Sequence, residues 1–271
     1  MDKYVVLEKE VGETPLSCAE KWRATQPEFA DVPLSYAGRL DPMASGKLLV
    51  LIGEECKKQS DYHGLDKEYE FSVLFGISSD TQDVLGRLKT NNSDSNSTVN
   101  STIELAEVAD SLIGEFTFSY PLFSAKTVKG KPLHMWTLEG RLDEIEIPTR
   151  TSEIYELELT EIETKPRQEV AAAALQKINT IPEVTDPRKE LGADFRRKDV
   201  RADWQDVATD YSLPTQYTIA HFRCVASSGA YMRTLATTIA SKCGTTGLAY
   251  HIQRTKIGNF DKQNRHWSKE Y

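Results

Sequence analysis

Residues 37–52 read AGRLDPMASGKLLVLI. The first part places one acid, Asp41, between Gly38 and Gly46, with Pro42 stiffening the backbone directly after it. The second part, Lys47–Ile52, reads as a buried strand, apolar from Leu48 on. The two glycines allow tight backbone geometry around this acid just before the strand, which makes the loop a site candidate. Most turns of this composition only reverse the chain, so the loop by itself leaves a structural and a catalytic reading open.

Upstream, Tyr4–Leu7 reads as a short strand. Thr14 and Pro15 start a helix that runs to about Arg23, because threonine caps free N–H groups and proline loses no hydrogen bond at the first helical position. Downstream, Tyr69, Phe71, Val73 and Phe75 alternate onto one face of a strand. The run NNSDSNSTVNS over Asn91–Ser101 has nothing to bury and is expected to be a disordered loop, about 90–101. Thr102 is expected to cap a helix with Leu105, Val108, Ala109 and Leu112 on one stripe, ended by Gly114. Phe116–Leu138 is read as two extended arms around a turn at Gly130, and Glu153–Ile162 as a strand. Pro166–Pro214 breaks the pattern and is read as a peripheral insertion, about 166–214, holding a helix at Glu169–Ile178. Tyr217–Ala226 is a further strand. Ser227–Gly229 then turns into a helix with Tyr231, Leu235 and Ile239 spaced four apart, placing Tyr231 and Arg233 near its anion-favouring N-terminus. Strands and helices without regular βαβ alternation give an α+β fold.

The chain has 271 residues and a net charge of −8. Its longest apolar runs, Leu48–Ile52 and Val170–Leu175, are far below the ~20 residues of a membrane span. Glu8 and Lys9 interrupt the first apolar stretch too early for a signal sequence. A cytoplasmic protein is expected. Cys18, Cys56, Cys224 and Cys243 lack ligand spacing and the five histidines are scattered, so neither a metal site nor a cofactor is expected. Charge is uneven. Thr218–Phe260 has no acid but holds Arg223, Arg233, Lys242, Arg254 and Lys256, and Phe118–Leu138 has none but holds Lys126, Lys129 and Lys131. Such islands suit either a polyanion-binding face or buried core, and charge alone does not choose.

Several motifs together resemble the TruB family of tRNA pseudouridine-55 synthases. Lys9 with Gly12 is similar to the family's opening Lys-Pro-x-Gly element, and Gly38–Gly46 to its catalytic-aspartate loop. Lys67-Glu68-Tyr69 matches the element bearing the base-stacking tyrosine, and Ser79–Gly86 the Asp-Thr-x-Asp block. Tyr120–Ala125 with Gly130–Leu133 resembles the RNA-clamping loop. Ser228–Leu235 matches the arginine motif, which continues through Ile252 and Arg254 to Phe260. The resemblance covers most of residues 4–165 and 216–260.

The resemblance implies a mixed, mostly antiparallel twisted sheet, flanked by helices and loops, with a central cleft. It implies isomerisation of uridine to pseudouridine in the tRNA T-loop, with Asp41 as the catalytic carboxylate. Tyr69, Tyr231, Arg233, Ile252, Tyr36 and Lys9 would contact the substrate, and Lys126, Lys129, Lys131 and Arg254 the RNA. The T-arm of tRNA would be the partner of a monomer without membrane, metal or cofactor. Residues 1–260 would form the catalytic domain and 261–271 a tail, with no PUA domain following. Departures matter: Ser35-Tyr36 stands where the family has Gly-His, and Thr127 where it has a lysine. Ser35-Tyr36 and the expected lack of a PUA domain leave a tRNA-binding or folding module with weak or lost catalysis as an alternative, beside a synthase acting on another RNA. A small-molecule enzyme sharing only the turns would instead show a deep enclosed pocket.

Overall fold

A computed structural model describes residues 2–90, 101–182 and 196–271; the polar run at 91–100, expected to be disordered, lies outside them. In chain order the first half comprises β1 (Tyr4–Lys9), α1 (Pro15–Arg23), β2 (Leu34–Ala37), β3 (Ser45–Ile52), α2 (Gln59–His63), β4 (Asp66–Phe75), β5 (Ile77–Ser79), β6 (Leu88–Thr90), α3 (Thr102–Asp110) and β7 (Gly114–Ser119). The second half adds β8 (Thr127–Val128), β9 (Lys131–Pro132), α4 (Leu133–Leu138), β10 (Thr149–Pro166), α5 (Arg167–Asn179), α6 (Arg197–Thr209), β11 (Gln216–Ala226), α7 (Met232–Lys242), β12 (Gly247–Asp261) and β13 (His266–Glu270).

Nine of the described strands form one sheet in the order β1-β3-β12-β4-β11-β10-β7, with β2 on β3 and β13 on β12. Every pairing in it is antiparallel except β3 with β12, which is parallel at Gln253↔Ser45 and Arg254↔Gly46. The fold is therefore α+β with a mixed, mostly antiparallel sheet. At the parallel step the two backbones almost touch. A Cβ on Gly46 would stand 2.2 Å from the Arg254 carbonyl oxygen, and its φ is +104°. Only glycine fits, so the end of the Asp41 loop is locked to β12.

The helix start at Thr14 is a reciprocal cap. The Ser17 N–H donates to Thr14 Oγ1 at 3.0 Å and the Thr14 N–H to Ser17 Oγ at 2.8 Å. For α3 the cap is Ser101 rather than Thr102. Ser101 has the extended backbone a cap needs, and its Oγ accepts the Glu104 N–H at 3.2 Å. Gly130 does sit in a turn, between β8 and β9. The second arm of that segment is helical, however, because Leu133 and Trp136 are buried three residues apart, the spacing of α4.

The segment read as a peripheral insertion is not peripheral in its described parts. Val170, Ala171, Ala174 and Ile178 of α5, with Val200, Trp204 and Val207 of α6, share one core with Phe71 of β4 and Phe222 of β11. Trp204 is fully buried, and its Nε1–H donates to the Val84 carbonyl at 2.9 Å. Replacing Trp204 with alanine should cost roughly 3–5 kcal/mol, read by urea unfolding. A loss below about 1 kcal/mol would return these helices to the surface. Residues 261–271 are likewise more than a tail, since β13 pairs with β12 and Trp267 packs edge-on against Phe260.

Candidate active site

The Asp41 loop is held from beneath by donors aimed at its carbonyls. The Gly12 N–H donates to Pro42 O at 2.8 Å, and Lys9 Nζ donates to Ala44 O. The Arg254 guanidinium donates to Lys47 O at 2.7 Å and lies 3.5 and 3.3 Å from the carbonyls of Arg39 and Gly38. Leu40, Met43 and Ala44 anchor the loop in the core. These bonds correct two expectations. Lys9 and Arg254 are 0% and 1% exposed, so they position the loop instead of facing substrate or RNA from the surface. Burial holds the Lys9 ammonium down to about 8, against the pull of Glu13 and Asp41.

Asp41 meets Arg233, which the first turn of α7 brings in. Arg233 Nε lies 2.8 Å from Asp41 Oδ2 and 3.8 Å from Asp83 Oδ2. The Nε–H is not aligned on either oxygen, so the contact with Asp41 is an ion pair rather than a directed hydrogen bond. The rest of the guanidinium donates to Thr81 O at 2.8 Å and to Phe123 O at 3.3 Å. Arg233 is 3% exposed; the Asp41 side chain is 39% exposed and opens on the cleft.

Asp83 is the residue that sequence reasoning left out. It lies in the matched Ser79–Gly86 block, whose acids were the available signal. Its carboxylate accepts from Thr81 Oγ1 at 2.6 Å and from the Leu85 N–H at 2.9 Å. Desolvation pushes the Asp83 carboxyl above its ordinary value, opposed by Arg233 and Thr81. Burial alone would lower Arg233, but Asp41 and Asp83 more than reverse it. One buried cation thus serves a buried carboxylate and an accessible one.

The cleft above the pair has a volume of about 990 Å³. Tyr69 on β4 and Ile252 on β12 reach it from the sheet, Tyr36 from β2, and Tyr231 from the cap of α7. Tyr231 is fixed edge-on against Tyr120 at 5.7 Å and Phe118 at 5.8 Å. Arg39, Lys67, Arg150, Arg196, Arg233 and Arg254 line the cleft, against only Asp41 and Asp83 among acids. In a chain of net charge −8 this is a local reversal of sign.

The basic island over Thr218–Phe260 is mostly not a surface patch. Arg223 pairs with Glu68, Glu156 and Glu158, Lys256 pairs with Glu68, and Arg233 and Arg254 are buried. Of the hairpin lysines, Lys131 is bound to Glu139 at 2.6 Å and lies over Trp136. Lys126 and Lys129 remain exposed beside the cleft-lining Phe123–Ala125 segment. Among the described residues no group of three His, Cys, Asp or Glu side chains could hold a metal, and no helix is long and apolar enough to cross a membrane.

Residues 32–177, more than half of the chain, match the model for the TruB family pseudouridylate synthase, N-terminal domain. The chain is 29% identical over 264 residues to a tRNA pseudouridine synthase B of Caldicellulosiruptor saccharolyticus, covering 96% of this chain and 69% of the relative. It is 27% identical over 269 residues to tRNA pseudouridine synthase 4 of Saccharomyces cerevisiae, covering 90% of this chain and 63% of the relative. Among solved structures it resembles a chain of a Cbf5–Nop10–Gar1 complex, with a TM-score of 0.54 and 16% identity. That similarity covers 94% of this chain and 49% of the other, and it supports the fold.

Proposed function

Because the chain belongs to the TruB family of pseudouridylate synthases, we propose that it isomerises uridine to pseudouridine in the T-loop of tRNA, with Asp41 as its catalytic carboxylate. The observation that carries this reading is the accessible Asp41 carboxylate, 2.8 Å from the buried Arg233, on the floor of a cation-lined cleft. The reaction breaks the N1–C1′ bond, forms C5–C1′, moves a proton off C5 and leaves one on N1. Nothing is oxidised or reduced. A carboxylate facing the ribose can attack C1′ or remove a ribose proton, and both roles need it charged and held. Arg233 supplies the holding, since its guanidinium stays ionised at any working pH.

A stacked uridine must first leave its stack, at a cost of a few kcal/mol. The cleft offers Tyr69 as a platform for the released ring, a contact worth ~1–3 kcal/mol per base, with Ile252 against it. Tyr69→Ala should therefore weaken T-arm binding by roughly 5–150-fold, while Tyr69→Phe keeps affinity within about threefold. Equal losses in the two variants, measured by filter binding, would remove the stacking role. Lys126, over the Tyr120 ring, and Lys129, bonded to Glu144 O, supply exposed charge for the strand at the rim.

The accessible cleft argues against the small-molecule reading, and the assembled Asp41–Arg233–Asp83 group argues against a module without catalysis. The four free thiols suit a reducing cytoplasm, and we take the working form to be a monomer. The test is to incubate an unmodified tRNA transcript with the protein and map new pseudouridine by carbodiimide labelling and primer extension. A single stop in the T-loop is expected. A stop elsewhere would keep the chemistry and overturn the T-loop assignment.

A further inference from the structure

One end of the cleft holds three cations with no anion to match them. Lys67 and Arg254 are 5% and 1% exposed, and Arg150 is half-buried. Among the described residues no carboxylate lies within 4.0 Å of any of the three. Their hydrogen bonds go to neutral groups: Lys67 to the Leu65 carbonyl, Arg150 to Ser228 O at 2.8 Å, and Arg254 to the carbonyls of the Asp41 loop and Lys47 and to the Tyr69 hydroxyl. Asp66, next to Lys67, is turned to Tyr155 and the Phe260 N–H. Lys67 has two ammonium protons to spare, and Arg150 Nε is buried with no partner.

Lys67 and Arg254 are neighbours, and Arg150 reaches the same end through Ser228, two residues beyond Ala226, the strand partner of Lys67. A Cβ on Gly38 would lie 3.5 Å from Arg254 Nη1 and 3.6 Å from Lys67 Cε, so one loop residue touches both. Arg150 lies flat on Gly229, where a Cβ would meet its Nε at 2.0 Å, so no side chain could stand between Arg150 and the turn. Burial pulls Lys67 down to about 7, Arg254 and Arg150 add to this, and Asp66 opposes it. Buried lysines are almost always paired, and an unpaired one costs folding energy unless something arrives to neutralise it.

We infer that Lys67 and Arg150, with the buried Arg254 charge behind them, form a subsite for one phosphodiester of the RNA strand, the one adjoining the uridine that enters the cleft. The inference rests on the function proposed above. Lys67 and Tyr69 are two apart on β4 and so share a face, about 6.6 Å from each other along the strand. One nucleotide can lay its ring on Tyr69 and its phosphate against Lys67. A phosphate accepts from the spare Lys67 protons and from the Arg150 fork, and Arg254 adds charge from behind without giving up its bonds to the loop.

The test uses the full chain and a T-arm stem–loop RNA, with the phosphates flanking the target uridine replaced one at a time by neutral methylphosphonates. One replacement is expected to weaken wild-type binding about tenfold or more. Lys67→Met should weaken binding of the native RNA by a similar factor, flatten the salt dependence by about one phosphate contact, and show no further loss with the replaced RNA. Lys67→Met should also melt no lower than wild type, since it removes an unpaired buried charge. Losses that multiply instead of overlapping, or no loss at any replaced phosphate, would overturn the subsite. Arg150→Met, less buried, repeats the cycle should Lys67→Met not fold. Competition by inorganic phosphate beyond an ionic-strength-matched chloride control, abolished in Lys67→Met, would mean a free-anion site and overturn the strand assignment. Failure of wild type to bind the unmodified stem–loop would overturn the function as well, whereas binding without the overlap overturns the subsite alone.

Discussion

Asp41→Asn should lower kcat/KM on a tRNA transcript by on the order of 10⁴-fold or more, while RNA affinity stays within about threefold. The amide is nearly the size of the carboxylate, so the cleft keeps its shape, but it can neither attack C1′ nor take a proton. The loop should not collapse, because the Gly12, Lys9 and Arg254 bonds go to carbonyls and do not involve the Asp41 side chain. Arg233 also keeps Asp83 as a counter-charge. Asp41→Glu retains the charge but shifts it by a methylene, and misplacement of about 1 Å costs roughly 10²-fold. Tritium release at saturating enzyme measures both variants. Activity of Asp41→Asn within tenfold of wild type would remove Asp41 from the chemistry.

Arg233→Gln should be among the most damaging single changes to stability, costing roughly 3–5 kcal/mol, or a fall in Tm of about 6–20 °C. It strands Asp83, whose side chain is 4% exposed, and leaves the carbonyls of Thr81 and Phe123 without their donor. The deficit should depend on pH. Desolvation already holds the Asp83 carboxyl above its unfolded value, with Arg233 as the main opposing influence. A carboxyl raised by folding favours the folded state on the acid side, and that contribution is lost as pH rises through the folded value. Without Arg233 the Asp83 value rises further, so the deficit should shrink on going from pH 8 toward pH 5. Asp83→Asn in the Arg233→Gln background should recover part of it at pH 8. Additive losses in that double variant, with no pH dependence, would separate the two groups.

Much of this site was legible because its chemistry sits in local motifs. Asp41 between its glycines, Tyr69 in an alternating strand and Arg233 at a helix start could be read from short spacings, and the fold brings all three to one cleft. What could not be read was which positive charges are free. Arg254 and Lys9 look like surface cations in sequence, yet the parallel step at Gly46 and the 0–1% exposure of both make them supports for the loop. Arg223 and Lys256 have their charge matched by Glu68 and Glu156, residues distant in sequence that β4 and β10 bring alongside them. The segment over 166–214 reads as an insertion because it is rich in alanine and charge, while the stripe Val200, Trp204 and Val207 carries the helical period of a buried face. Helix α4 was missed because six residues give too little period to distinguish from an extended arm.

The most direct measurement is single-turnover tritium release from a tRNA transcript labelled at C5 of uridine, with enzyme in excess. The C5–H bond must break if C5 becomes the new point of attachment, so one equivalent of tritium per tRNA should appear in solvent with wild type. No release from an RNA that the protein demonstrably binds would contradict isomerisation at Asp41 and leave a binding module in its place.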